Sequence, residues 1–240
     1  MRYVVAMSVV CGCLAAAVPH AQADFLSLPN ADAESRFYLN GIVGDSFTAI
    51  SSGGFNTASG GPVPNTGNAV GDLLTLGGAL GVSAHRPGGE LRLEVESLGR
   101  GTLNDSTASV FAPQEYAVRA SDSWTVMANI WREYSLTDRL GLYGGGGIGA
   151  GGYRISVDDQ TASGADVDAA FAWQVGTGVT WSIGPRLTVD FGYRFLDLGT
   201  MSMPLALNGG APAGNYTSAF SASEWLLSVR IYEPFASLRR

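Results

Sequence analysis

The chain has 240 residues and a formal net charge of −7, with 46% of its residues hydrophobic and only 15% charged. So acidic a balance argues against a nucleic-acid partner, which would need a basic face. All 14 basic residues are arginine, and a chain without lysine can form neither a P-loop, a Schiff base nor a Ser-Lys dyad.

The N-terminus has the pattern of a secretory signal peptide. Arg2 precedes an apolar run from Tyr3 to Ala17, and Ala21-Gln22-Ala23 forms a cleavage motif. The run is shorter than the ~20 residues of a membrane-spanning helix, which disfavours the alternative of a retained anchor. We expect cleavage after the motif and export through the Sec pathway. Cys11 and Cys13 would be removed with the signal, leaving no disulfide or thiol ligand.

The exported protein should therefore begin at Asp24. A signal peptidase cleaves after a small-x-small motif, and Ala21 and Ala23 supply the two small residues. N-terminal sequencing of protein taken from the envelope fraction checks this expectation. A chain that begins at Met1 would disprove the signal peptide.

After the expected signal, apolar and polar residues alternate in a series of short segments. The clearest case runs from Leu91 to Glu96, where Leu91, Leu93 and Val95 alternate with charged residues. A period of two places the two kinds of residue on opposite faces of a β-strand. We predict eight strands, near Phe37–Gly44, Leu74–Ser83, Glu90–Glu96, Trp124–Ile130, Leu140–Tyr153, Phe171–Trp181, Leu187–Phe195 and Glu224–Ile231.

The connections between these strands alternate in length. The short ones are Ala84–Gly89, Tyr134–Arg139 and Gly184–Arg186. The long ones, rich in Gly, Ser, Asn, Asp and Pro, are Asp45–Gly71, Gly99–Asp122, Ser156–Asp168 and Asp197–Ala219. Short turns on one rim and long loops on the other are typical of outer-membrane barrels, with periplasmic turns and extracellular loops. The sequence predicts an all-β fold, a closed antiparallel transmembrane β-barrel of about eight strands.

Aromatic residues favour a membrane barrel over a soluble one. In a soluble lipocalin-like barrel the interior is apolar and the exterior polar. Here bulky aromatics stand on the apolar faces near strand ends, as in the interfacial girdles of membrane barrels: Trp124, Phe171, Trp181, Phe195 and Trp225. The alternative is a soluble secreted β-sandwich whose charged faces contact water.

The charged residues that alternate with the apolar ones are expected to face the barrel lumen. They are Glu90, Arg92, Glu94, Glu96, Asp190, Arg194, Glu224 and Arg230. Arginine can bind several carboxylates at once and an eight-stranded barrel is just wide enough for side chains, so we predict an ion-pair network that fills the lumen. The alternative is a narrow pore or proton path, favoured by a wall without side chains at Gly145, Gly147, Gly149 and Gly151.

The sequence gives little indication of catalysis or cofactor binding. His85, the one histidine after the expected cleavage site, falls in a short turn, whereas enzymatic barrels need a general base. Gly144, Gly146 and Gly149 have a nucleotide-binding spacing, but no helix follows them. An acidic cluster in the third long loop is interpreted as solvated charge, with Ca²⁺ bridging lipopolysaccharide as the alternative: Asp158, Asp159, Asp166 and Asp168. We expect no enzyme, cofactor or metal.

Several short motifs stand in the predicted strands: Ala128-Asn129, Trp173-Gln174-Val175-Gly176, Phe191-Gly192-Tyr193-Arg194-Phe195-Leu196-Asp197-Leu198-Gly199 and Ser228-Val229-Arg230. They resemble the opacity-type outer-membrane β-barrel family, related in architecture to the transmembrane domain of outer membrane protein A. The resemblance implies eight strands, variable surface loops, a role in surface antigenicity, adhesion or envelope integrity, and no catalytic residues. It also implies a C-terminal aromatic that signals insertion, for which Phe235 is the candidate.

We divide the chain into a signal peptide at 1–23, a periplasmic segment at 24–36, a barrel at 37–235 and a C-terminal extension at 236–240. The expected location is the bacterial outer membrane. Expected partners are its lipid and lipopolysaccharide, the barrel-assembly machinery during insertion, and a host or surface ligand bound by the loops. The expected function is a structural, adhesion or surface-antigen role with a filled lumen, and the alternative is a narrow porin-like channel for small solutes.

Overall fold

The computed structural model describes residues 35–57, 62–63, 68–108, 115–158, 162–207 and 212–234. All of them belong to the second of two units into which the chain divides, Ser35–Arg240. The expected signal peptide, Phe235 and the expected C-terminal extension lie outside the described residues. No helix in the described part of the chain has the length and apolarity needed to cross a bilayer.

The described residues form one sheet that closes on itself. Ten strands are present in them: β1 Ser35–Thr57, β2 Pro62–Val63, β3 Asn68–Arg86, β4 Gly89–Arg100, β5 Leu103–Ala108, β6 Glu115–Ser135, β7 Leu140–Asp158, β8 Ala162–Gly184, β9 Leu187–Leu207 and β10 Pro212–Tyr232. Neighbours pair antiparallel in the order β1-β3-β4-β6-β7-β8-β9-β10, and β10 pairs with β1. The prediction of a closed eight-stranded barrel is confirmed.

Two short strands stand beside the eight long ones. The strand β5 continues β4 after a break at Gly101 and Thr102, and it pairs with β6. The two-residue strand β2 pairs with the end of β1. The barrel wall therefore has eight strand positions, one of which is filled by β4 and β5 in succession.

Tight turns connect the strands at one end, which is the periplasmic end of an outer-membrane barrel. In the β3–β4 turn Gly88 has a φ of 74°, a left-handed conformation that favours glycine. In the β6–β7 turn the Thr137 hydroxyl accepts hydrogen bonds from the backbone N–H of Arg139 and Leu140, at 3.2 and 3.0 Å. His85 lies at the end of β3 and not in the turn, because pairing continues to Arg86.

The strands extend into the segments predicted as long loops, so those predictions were wrong in extent. β1 continues to Thr57, β3 begins at Asn68, β7 ends at Asp158 and β9 at Leu207. The ladder continues because each strand still has its partner beside it, and backbone pairing needs no apolar face. The remaining connections, at 58–61, 64–67, 109–114, 159–161 and 208–211, lie outside the described residues.

The two faces of the wall have opposite polarity. Large apolar side chains are exposed on the outside, for example Leu74 at 67%, Phe171 at 64% and Val95 at 58%. Inside the barrel, Glu224 and Arg230 are fully buried. A soluble β-sandwich would bury its apolar face, so this arrangement contradicts that alternative and fits an outer surface solvated by lipid.

Candidate functional site in the barrel lumen

Four charged side chains form an ion-pair layer across the lumen, which we call the upper layer. Arg194 donates through Nε to Glu224 at 2.5 Å and through Nη1 to Glu96 at 2.7 Å. Arg100 donates through Nε to the other oxygen of Glu224 at 2.6 Å. Three strands separate β4, which carries Glu96, from β9, which carries Arg194, in either direction around the barrel. The Glu96–Arg194 pair therefore spans the full width of the lumen.

A second layer, the lower layer, lies nearer the periplasmic end. Arg230 contacts Asp190 at 2.6 Å and Glu133 at 3.2 Å through Nη2. Arg92 reaches the same two carboxylates at longer distances, with Nη1 3.5 Å from Asp190 and Nε 3.8 Å from Glu133. β10 and β6, which carry Arg230 and Glu133, also lie opposite each other in the barrel order. This layer therefore crosses the lumen as well.

A carboxylate between the two layers is held by neutral donors. Glu94 accepts hydrogen bonds from the Tyr38 hydroxyl at 2.8 Å, the Trp131 indole at 2.6 Å and the Asn129 amide at 3.2 Å. Gln174 then donates to the Asn129 carbonyl at 2.6 Å. Three donors satisfy a buried carboxylate without an ion pair. These contacts tie β1, β4, β6 and β8 together across the middle of the lumen.

Two linked hydrogen bonds join Arg230, Tyr232 and Glu90 at the periplasmic mouth of the lumen. Arg230 donates from Nη1 to the Tyr232 hydroxyl at 2.7 Å, and that hydroxyl donates to Glu90 at 2.9 Å. The Tyr232 ring also packs against Tyr38, with ring centroids 5.6 Å apart. Glu90 is the only half-buried member of the eight predicted lumen charges, and the other seven are buried.

The glycine wall of β7 is covered by side chains of β6. Four glycines face the lumen along β7, at Gly145, Gly147, Gly149 and Gly151. A Cβ added to Gly145 would lie 2.9 Å from the Trp131 ring, and one added to Gly149 would lie 2.9 Å from the Met127 sulfur. The missing side chains therefore give room to large neighbours, and the wall does not leave a slot at these positions.

Apolar side chains fill the lumen beside the upper layer and on its extracellular side. The fully buried members are Leu98, Met127, Tyr153, Leu196, Leu198 and Phe220. The Tyr153 and Phe220 rings lie 5.0 Å apart between centroids.

Between the upper and lower layers there remains a cavity of about 40 Å³, bordered by Arg92, Glu94 and Arg194. That volume has room for about three water molecules, beside donors of the two arginines that have no hydrogen-bond partner among the described residues.

Sequence reasoning missed two charged members of the layers. Arg100 stands in a segment predicted as a loop, and Glu133 lies just beyond the predicted end of the fourth strand. The alternation of Thr125, Met127 and Asn129 continues through Trp131 to Glu133, so extending it would have found that residue. With both included, the described side chains place six carboxylates and four arginines in the lumen, where the sequence predicted five and three.

Two other expectations fall outside what the structure describes. The side chains of Asp158, Asp166 and Asp168 are not among the described ones, and Asp159 lies outside the described residues. Among the described residues no group of three or more His, Cys, Asp or Glu could hold a metal ion. The predicted insertion signal at Phe235 stays a prediction.

Comparisons with known proteins give one family match. A family model described as the outer membrane protein beta-barrel domain matches residues 8–230. Similar solved structures include Neisserial surface protein A at 16% identity, covering 82% of this chain and 98% of that one with a TM-score of 0.41. They also include the attachment invasion locus protein Ail of Yersinia pestis, at 12% identity, with 83% and 99% coverage and a TM-score of 0.40.

OprG of Pseudomonas aeruginosa is a third similar structure, at 10% identity, covering 83% of this chain and 96% of that one with a TM-score of 0.48. No curated protein matches the sequence. At these identities and TM-scores the three structures do not indicate which role this chain serves, and its family is shown by the family model.

Proposed function

Because the chain belongs to the outer membrane protein β-barrel family, located in the bacterial outer membrane, we propose that it is a non-conducting barrel with a surface role. In this role the barrel anchors a structural, adhesive or antigenic surface in the membrane. The observation that supports this proposal is the pair of ion layers across the lumen, with apolar side chains above them. A solute could pass only by separating ion pairs that join opposite walls.

The extracellular part of the barrel supplies the surface for contacts. A strand needs about 9–11 residues to span a bilayer, whereas β8 has 23 and β9 has 21. The periplasmic turns are tight, so the extra length stands on the extracellular side. We propose that this paired extension binds lipopolysaccharide and a host or surface ligand, and that the barrel-assembly machinery inserts the chain with Phe235 as its signal.

We infer further that the protein is not an enzyme. His85 is exposed at the periplasmic end of β3, away from the extracellular rim. A general base that acts on an extracellular substrate would have to stand at the other rim. The charges of the lumen are engaged with one another, which fits a structural role for them better than catalysis.

Purified protein in planar bilayers should show no conductance steps, or only small and infrequent ones. An eight-stranded barrel filled by side chains has no water channel, whereas general porins have about 16–18 strands. The double variant Glu96→Ala with Arg194→Ala removes both partners of a pair that spans the lumen, and it should conduct more than wild type. Large, stable, porin-sized steps from the wild-type protein would contradict the proposal and favour the small-solute channel.

A further inference from the structure

Two arginines stand on the outer face of the barrel at its periplasmic end. Strand pairing places Arg86 of β3, Gly89 of β4 and Tyr134 of β6 in one row across the wall. The next row contains Ala84, Leu91 and Arg132. Every second residue of a strand shares a face, so both rows lie on the same side as the lipid-facing row that follows, Val82, Leu93 and Ile130.

Lipid-facing side chains adjoin this patch above and beside it. Val82 and Leu93 are 46% and 45% exposed, and Leu142, which pairs with Tyr134, is 44% exposed. Below the patch the chain turns at Pro87 and Gly88. The patch therefore lies at the boundary between hydrocarbon and periplasm, where phospholipid headgroups are found and where tyrosine is enriched.

The two arginines differ in how they are engaged. Arg132 donates to the carbonyl oxygens of Pro87 at 2.7 Å and Glu133 at 3.1 Å, and its guanidinium lies 4.6 Å from the centre of the Tyr134 ring. These contacts fix one positive charge in place. Arg86 is different, because its Nε and Nη2 are buried atoms that have no hydrogen-bond partner among the described residues. Buried guanidinium donors require an acceptor.

The described residues around Arg86 favour a negatively charged acceptor from outside the chain. Glu90 and Glu133, the nearest carboxylates on β4 and β6, belong to the lumen network. Gly89 lies between Arg86 and Tyr134, and because it has no side chain it leaves a gap in the outer surface at that position. A planar guanidinium with free donors beside a second fixed cation is well matched to the oxygens of a phosphate.

We propose that Arg86, with Arg132 and Tyr134 beside it, binds the phosphodiester of a phospholipid in the periplasmic leaflet of the outer membrane. Arg86 donates the hydrogen bonds, and Arg132 supplies the second positive charge and holds the β3–β4 turn. The site is independent of the proposed surface role, since it lies at the opposite end of the barrel.

Native mass spectrometry of the folded mature barrel, purified in detergent and supplied with phosphatidylglycerol, tests this site. Arg86→Gln should lower lipid retention roughly tenfold, because it removes charge-assisted hydrogen bonds to the phosphate. Arg139→Gln, which alters an exposed arginine of the β6–β7 turn, should leave retention unchanged. Diacylglycerol with the same acyl chains lacks the phosphate and should be retained weakly by all three proteins.

Two further measurements identify the source of the phosphate and allow for a variant that does not fold. Inorganic phosphate at the lipid's concentration should not displace the lipid, and displacement would overturn the phospholipid assignment. Arg86→Lys keeps the charge without the planar fork, and retention about threefold below wild type is expected even if Arg86→Gln does not fold. Equal retention by the Arg86 variants and Arg139→Gln would overturn the proposal.

Discussion

Arg194→Leu should lower the free energy of unfolding by about 3–5 kcal/mol. Arg194 is 3% exposed and binds both Glu96 and Glu224, so the substitution removes the shared cation of the upper layer. Glu224 keeps Arg100 at 2.6 Å, but Glu96 keeps only a contact of 3.5 Å with Gln174. A buried carboxylate without a close partner is strongly destabilising. Denaturant unfolding of the barrel in lipid, followed by tryptophan fluorescence, measures the loss.

Two variants separate the loss of the ion pair from general effects of removing an arginine. Arg139→Leu changes an exposed turn residue and should stay within about 0.5 kcal/mol of wild type. Adding Glu96→Gln to Arg194→Leu removes the uncompensated carboxylate, so the double variant should recover part of the stability. If Arg194→Leu unfolds like wild type, the ion pairs of the upper layer do not stabilise the barrel, and the predicted ion-pair network is wrong.

The barrel wall was predictable because its signal is local. In β4 the alternation of Arg92 and Glu94 with Leu93 and Val95 depends only on the period of a strand, and the structure gives these residues opposite exposure. Strand number and order followed, since eight such segments joined by short and long connections leave few antiparallel arrangements. Lipid-facing aromatics then indicated the membrane.

The pairing inside the lumen could not be predicted, because it depends on how the strands are staggered. Glu96 and Arg194 are separated by 98 positions in the chain and meet only through closure of the sheet. The alternation predicts that both side chains point inward, but it does not predict the position of each one along the barrel axis. The same limit explains why Arg100 was assigned to a loop, since Gly99 and Gly101 beside it interrupt the apolar pattern.

Strand ends were the other part that the sequence left undetermined. Above the membrane the wall needs no lipid-facing side, so polar and small residues pair there without alternation. β1 accordingly runs on through Ser51 and Ser52 to Thr57, with a register shift between Ser52 and Gly54. Apolar alternation stops at the aromatic girdle, so a prediction based on it ends the strands there. The strand extensions beyond the girdle can be recognised only from the positions of the neighbouring strands.

Val95→Arg should lower the free energy of unfolding in lipid by about 2–4 kcal/mol. Val95 is 58% exposed on the outer face and stands midway along β4, between Leu80 of β3 and Ala128 of β6. Arginine at this depth places a charge in hydrocarbon, where water cannot solvate it. Reversible folding into lipid vesicles, measured by denaturant titration, gives the difference from wild type.

The lumen supplies the matched control for that charge. Thr188 is 4% exposed and faces inward on β9, so Thr188→Val exchanges a hydroxyl for a methyl group without touching lipid. Its hydroxyl makes one weak contact, 3.4 Å from Ser182, and the loss should be far smaller than for Val95→Arg. Because lipid is the cause of the larger effect, the same change to arginine at a lipid-facing position near the bilayer surface should cost much less. Equal shifts for the two variants would mean that the outer face is not solvated by hydrocarbon at Val95, and the assignment of faces would have to be reversed.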